Sequence, residues 1–117
     1  MAQLKHFSRY LGILATAAGV MITAADATGQ QSVRPIVEQM QDSSPSVREK
    51  LVEALGEIGG SEAVAALIAA LQDESREVRK EAADALGQLN DASAVPGLIE
   101  ALQDNAREVR KKSADAL

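Results

Sequence analysis

Cysteine and tryptophan are absent from this 117-residue chain, histidine occurs once, and the aromatic residues are Phe7 and Tyr10. Each absence removes a class of protein. Without cysteine there is no disulfide, no thiol nucleophile and no lipid anchor on a cysteine at a cleavage site, so the fold must hold by packing alone. With His6 as the one histidine, at the very start, no histidine–carboxylate metal set can be assembled from the rest of the chain. No glycine-rich phosphate loop and no G-x-S-x-G elbow occurs. Glu53 and Glu57 lie one helical turn apart, yet a solvated acidic face accounts for them without a reaction. Catalysis is not expected, and neither is a cofactor.

What the chain does have is repetition. Asp42, Val47, Arg48, Ala54, Leu55, Gly56, Val64, Leu67, Ile68, Leu71 and Gln72 recur 31 residues later as Asp73, Val78, Arg79, Ala85, Leu86, Gly87, Val95, Leu98, Ile99, Leu102 and Gln103. Residues 42–72 and 73–103 agree at 14 of 31 positions, and 73–86 and 104–117 at 10 of 14, a register chance does not produce. Working backwards, Ser32, Ile36, Val37, Met40 and Gln41 fall where Ala63, Leu67, Ile68, Leu71 and Gln72 fall. The array at 32–117 therefore reads as a half repeat 32–41, full repeats 42–72 and 73–103, and a truncated repeat 104–117. A period of this size marks a supersecondary unit that cannot bury its apolar face alone and leans on its neighbours. With 46% hydrophobic residues but only 2% aromatic ones, the core is expected to be small and aliphatic, its stability rising with the number of units.

Within the unit, Val47, Leu51, Leu55 and Ile58 recur at helical spacing on one stripe, and Val64, Leu67, Ile68 and Leu71 form a second. Gly59-Gly60-Ser61 between them reads as a helix stop followed by an N-cap serine, with Asn90-Asp91 in the corresponding place of the next unit. Each repeat is thus a helical hairpin. The link to the next unit ends in Ser75, placed to accept backbone N–H bonds at the new helix start, and Ser44-Pro45 does the same one unit earlier. Pro35 and Pro96 belong near the start of the other helix. If Asp91 is the cap, Pro96 is one residue too deep, which favours a start nearer Ser93 or a slight kink.

Two repeated features oppose local propensity. Gly56 and Gly87 lie inside helices, where glycine costs about 1 kcal/mol relative to alanine, so close approach of the paired helix is expected. Arg48, Arg79 and Arg110 lie near helix N-termini, the end that disfavours cations. The matching Asp42, Asp73 and Asp104 are the obvious compensating partners, giving a structural ladder of ion pairs along the stack.

Residues 1–27 carry no trace of the period. Lys5, His6 and Arg9 form a basic start, Leu11 to Ile22 an apolar stretch, and Ala25-Asp26-Ala27 an A-x-A cleavage site. This reads as a signal peptide cleaved after Ala27, followed by a linker at 28–31. The apolar run is shorter than the roughly 18 residues a spanning helix needs, and no twin arginine is present. The expected destination is the periplasm or the exterior of a bacterial cell, with membrane contact only through this segment before cleavage.

The stretch DESREVRKEAADALGQLNDASAVPGLIEALQ resembles the HEAT-like repeat of the phycobilisome-lyase type, with its D-x-x-x-x-V-R, A-x-x-A-L-G and A-V-P-x-L-I segments. The resemblance covers Ser32 to Leu117. It implies an all-α fold, a right-handed α-α superhelix of stacked hairpins. In proteins that look like this, the helix carrying the V-R segment lines the concave surface and its polar positions contact protein partners. Carried over, those positions are Ser46, Glu49, Lys50 and Glu53; Arg76, Glu77, Lys80, Glu81 and Asp84; and Arg107, Glu108, Lys111, Lys112 and Asp115.

Removal of residues 1–27 leaves 10 Lys and Arg against 16 Asp and Glu, a net charge of −6. A nucleic-acid binder would show a basic stripe and stacking aromatics, and neither is present. The expected function is a scaffold for a protein partner. The alternatives are a scaffold or regulatory part of a larger enzyme continuing beyond Leu117, or a phycobilin lyase-like subunit, which the export signal contradicts. Leu117 occupies the place of Leu55 and Leu86, so the last helix is cut within its stripe. Continuation of the natural protein, or self-association through this end, is therefore expected.

Overall fold

The computed structural model describes residues 33–41 and 43–117. The expected signal peptide at 1–27, the expected linker at 28–31, Ser32 and Asp42 lie outside the described residues. Six α-helices follow in order: α1 (Arg34–Gln41), α2 (Pro45–Ile58), α3 (Gly60–Ala70), α4 (Arg76–Leu89), α5 (Val95–Ala101) and α6 (Arg107–Ala116), with a 3-10 turn at Ala92–Ala94 ahead of α5. Among the described residues there is no strand. α2 packs against α4 and α4 against α6, forming one row from the helices that open each unit. α3 packs against both α2 and α4, and α5 against α6, so each unit's second helix backs onto that row.

The two stripes explain the assembly. Leu51, Leu55 and Leu67 are fully enclosed, and Leu86 and Leu98 nearly so, at 1% and 2% exposure. Burying each leucine contributes about 2 kcal/mol. Val47, Ile58 and Ile68 sit at the margin, partly buried against this core. A second buried set was not marked by the stripes: Val52 and Ala54 in α2, and Ala82, Ala83 and Ala85 in α4. A helix in the middle of a row has neighbours on both sides, so it buries more of its circumference than one stripe. Small side chains there let the backbones come close.

The glycines belong to the same contact. A Cβ built on Gly56 would lie 3.0 Å from Ala85 Cβ, and one on Gly87 would lie 3.0 Å from Ala116 Cβ and 3.1 Å from Ala116 Cα. The close approach is therefore between the opening helices of successive units, not between the two helices of one hairpin. Sequence spacing shows that glycine is needed but not which neighbour needs it.

Helix ends differ in detail from the serine-cap expectation. Ser44 and Ser75 occupy the N-cap positions of α2 and α4, and Pro45 is the first residue of α2, but neither hydroxyl caps its helix. Asp73 does that work two residues earlier, its Oδ1 accepting from the Ser75 N–H at 2.8 Å, and Asp104 accepts from the Ala106 N–H in the same way. Ser61 lies inside α3, which begins at Gly60 after Gly59 at φ 70°. That positive φ is open to glycine at little cost. Asn90 closes α4 in the left-handed region at φ 54°. Asp91 then accepts from both the backbone N–H and the hydroxyl of Ser93, at 2.8 and 2.6 Å. These two bonds hold its carboxyl below the usual range, the hydroxyl contributing most. The second helix thus starts in two steps, 3-10 turn then α5, and Pro96 stands near the start of α5, where its missing donor costs nothing.

Candidate functional site

Two polar systems run along the row of α2, α4 and α6. The first ties units together. Arg48 grips Asp73 with two parallel bonds, Nε to Oδ2 at 2.9 Å and Nη2 to Oδ1 at 3.0 Å. Arg79 grips Asp104 likewise, at 2.8 and 3.2 Å. Each arginine also donates through Nη1 to a backbone carbonyl in the loop before its own helix: Arg48 to Ser43, Arg79 to Asp73 and Arg110 to Asp104, at 2.6 to 2.7 Å. The pairs run from the arginine of one unit to the aspartate of the next. Forked arginine–carboxylate bonding of this kind is among the stronger side-chain hydrogen bonds. All four side chains are only 11 to 13% exposed, so solvent screening is limited. The bond to Asp73 raises the Arg48 pKa above its ordinary value, outweighing the opposing effect of burial. For Arg48 and Arg79 the pattern also answers the dipole conflict, since the charge is matched by a carboxylate rather than left facing a helix N-terminus.

The second system is the polar ridge. Ser46, Glu49, Lys50 and Glu53 on α2, Arg76, Glu77, Lys80, Glu81 and Asp84 on α4, and Arg107, Glu108, Lys111, Lys112 and Asp115 on α6 all retain exposure. Lys50 pairs with Glu53 at 3.4 Å, and Glu77 with Arg76 and Lys80 at 3.2 and 3.6 Å. Ser46 meets only the Ser44 hydroxyl, at 3.3 Å. Lys112 reaches across from α6 to Asp84 on α4 at 3.4 Å, a contact between residues 28 apart that local spacing does not reveal. Arg107, Glu108, Lys111 and Asp115 form no ion pair among the described residues.

Glu81 is the most constrained member. Burial first, then the charges of Glu53, Asp84 and Glu49, raise its pKa, while Lys80 acts in the opposite sense. A carboxyl whose folded pKa is raised contributes no penalty below its unfolded value, one that grows between the unfolded and the folded values, and a constant one above both. Glu81→Gln should therefore raise the melting temperature at neutral pH by about 2 °C. The gain should vanish as the pH falls below the ordinary carboxylate range, which thermal melts across that interval would read directly.

Open grooves among the described residues accompany these systems. One of 340 Å³ is lined by Val37, Met40, Ala66 and the Arg48–Asp73 pair, and one of 390 Å³ repeats it a unit later around Arg79 and Asp104. The third, 160 Å³, lies between α4 and α6 beside Asp84, Gly87 and Lys112. Among the described residues no group of three or more histidines, cysteines, aspartates or glutamates is placed to hold a metal ion. Among them, too, no helix is long and apolar enough to cross a membrane.

Two-helix units, tied by an Arg–Asp ladder and presenting a charged ridge, define a helical-repeat protein. HEAT repeats match residues 33–117, and the chain belongs to that family. No curated protein matches the chain. HEAT repeats are commonly protein-interaction scaffolds and typically non-catalytic.

Proposed function

We propose that the array is a protein-binding scaffold whose partner lies along the ridge of α2, α4 and α6, on the concave side of a right-handed superhelix. One observation carries this reading. The inner sides of α2 and α4 are occupied by packing against their neighbours, whereas the ridge holds carboxylates and cations in alternation at helical spacing and at least partly exposed. An extended surface of mixed sign suits recognition of a polar protein surface better than it suits nucleic acid, which needs a basic stripe. The repeat subtype we favour is the phycobilisome-lyase type, on the D-x-x-x-x-V-R and A-x-x-A-L-G segments. The basic start, the apolar stretch and the A-x-A site favour an exported protein that begins at Thr28 after cleavage.

The test is recovery of partners from a bacterial envelope fraction with the wild-type chain and with Glu53→Lys/Glu77→Lys/Lys80→Glu. The wild type should retain a specific protein and the triple variant should lose it, at least about tenfold in Kd, with an unchanged circular dichroism spectrum. Changing Glu62 and Ala65, exposed on α3, should leave retention intact. Equal retention by the ridge variant would remove the ridge from the reading. Mass spectrometry of the envelope form should give a mature N-terminus at Thr28, and an uncleaved chain in the cytosol would overturn export.

A further inference from the structure

The two joints in the row of opening helices are built alike except in charge. At each, a glycine lets the backbones close up, Gly56 against Ala85 between α2 and α4, and Gly87 against Ala116 between α4 and α6. Close approach also brings together the ridge side chains beside the glycine. At the α4–α6 joint these are Asp84 and Lys112, paired at 3.4 Å across 28 residues of sequence. One unit earlier the same two places, again 28 residues apart, hold Glu53 and Glu81. A contact that is attractive at one joint is therefore repulsive at the other.

The groups around Glu81 do little to offset this. From α2 come the charges of Glu49 and Glu53, while Lys50 on that helix is drawn to Glu53 itself. On α4, Asp84 adds a third carboxylate, and Lys80 opposes it but also pairs with Glu77 at 3.6 Å. From α6, Lys112 goes to Asp84. α3 carries one charged residue, the exposed Glu62 in its first turn, and it does not act on Glu81. Half-buried among these carboxylates, Glu81 keeps its proton to higher pH than an ordinary carboxylate does, burial being the first cause and the Glu53 charge the second.

We propose that the α2–α4 joint is a pH-sensitive switch, tight while Glu81 carries its proton beside Glu53 and looser once both are charged, whereas the α4–α6 joint is held by Lys112. The event is one proton lost to solvent. A protonated Glu81 has an O–H to donate to the Glu53 carboxylate; an ionised one sets two like charges across a contact that Gly56 keeps close. The sign follows from the direction of the shift: the joint carries no penalty below the ordinary carboxylate range and weakens as the pH rises through the Glu81 titration. The device belongs to the array and is independent of partner binding on the ridge.

Hydrogen exchange on the full chain tests it, as protection factors of α2 amides followed from just above the ordinary carboxylate range to neutrality. In the wild type, protection should fall at least about threefold over that interval, and the fall should shrink in about 1 M salt, which screens the repulsion. Glu81→Lys gives the α2–α4 joint the residue that α6 has at Lys112 and should abolish the fall. Lys112→Glu places two carboxylates at the second joint and should add a fall of similar size in α6. Glu57→Lys changes the net charge as much as Glu81→Lys does, on an exposed side chain that does not act on Glu81, and should leave the response as it is. Wild-type protection that is the same at both ends of the interval would overturn the proposal. So would a response that survives Glu81→Lys, or one that Glu57→Lys removes equally, since net charge rather than this contact would then govern it.

Discussion

Gly56→Leu should lower the melting temperature by at least about 15 °C, whereas Gly56→Ala should leave it nearly unchanged. The contrast follows from one distance. A single methyl at Gly56 would lie 3.0 Å from the Cβ of Ala85, itself only 4% exposed, so α4 must yield by a few tenths of an ångström. The gain of about 1 kcal/mol in helix propensity offsets that small strain. Leucine adds three more carbons beyond a Cβ that already lies 3.0 Å from Ala85. The helices must separate, which also opens the seam around Leu51, Leu55 and Leu86. Overpacking of this kind costs about 3 kcal/mol or more, a large fraction of the total stability of a small domain. Gly87→Leu should destabilise as well, because a Cβ there would already lie 3.0 Å from Ala116 Cβ and 3.1 Å from its Cα. Double replacement, Gly56→Ala with Ala85→Gly, should recover full stability by moving the methyl across the same gap. Urea titration followed by far-UV circular dichroism measures all four. A Gly56→Leu protein that melts within a few degrees of wild type would show that the α2–α4 contact does not hold the units together.

The row of opening helices was legible in the sequence wherever a residue answers to burial alone. Leu55, Leu67, Leu86 and Leu98 recur at a fixed interval because each occupies an equivalent place in the core, and periodicity reports such places directly. Val52 and Ala83 were not legible, because they lie off the leucine stripe and do not repeat in kind, and only the presence of a neighbour on each side makes those positions interior. Capping was half legible. Ser44 and Ser75 stand at the boundaries, but the carboxylate two residues earlier takes the first backbone N–H, Asp73 that of Ser75 itself and Asp104 that of Ala106, where no serine is present. Chain continuity misdirected the glycines: their tight contact is with the next unit, and sequence spacing does not say which of two flanking helices comes closest. The ridge residues were marked by their polarity, while the Lys112–Asp84 pair and the crowding of Glu81 by Glu53 depend on how α2, α4 and α6 are set side by side, which no local pattern encodes.

Asp73→Ala should cost about 3 kcal/mol, more than any single change on the ridge. Two losses combine in this one side chain. Its Oδ1 accepts the Ser75 N–H that opens α4, and loss of a cap of this type costs about 1 kcal/mol. Both of its oxygens also hold the Arg48 fork, and without them an 11%-exposed guanidinium keeps only the Ser43 carbonyl and a distant Glu74, 3.8 Å away and itself largely in water. Stranding a mostly buried cation is more costly than deleting it, so Arg48→Met should be less damaging than Asp73→Ala even though both abolish the same pair. Asp73→Asn separates the two roles, since its amide oxygen can still accept from Ser75 while the charge is lost, and should fall between them. Arg79→Ala tests the next rung, where Asp104 still caps α6 at Ala106 but loses its arginine. Each comparison is a difference in urea midpoint at constant slope. An Asp73→Ala chain as stable as wild type would mean that the ladder contributes nothing to holding successive units in register, and an Arg48→Met chain less stable than Asp73→Ala would mean that the stranded guanidinium is not the larger loss. Far from both, the array gains its order from two terms acting on one contact: leucines that exclude water between units, and an arginine–aspartate fork that fixes how far one unit can slide on the next.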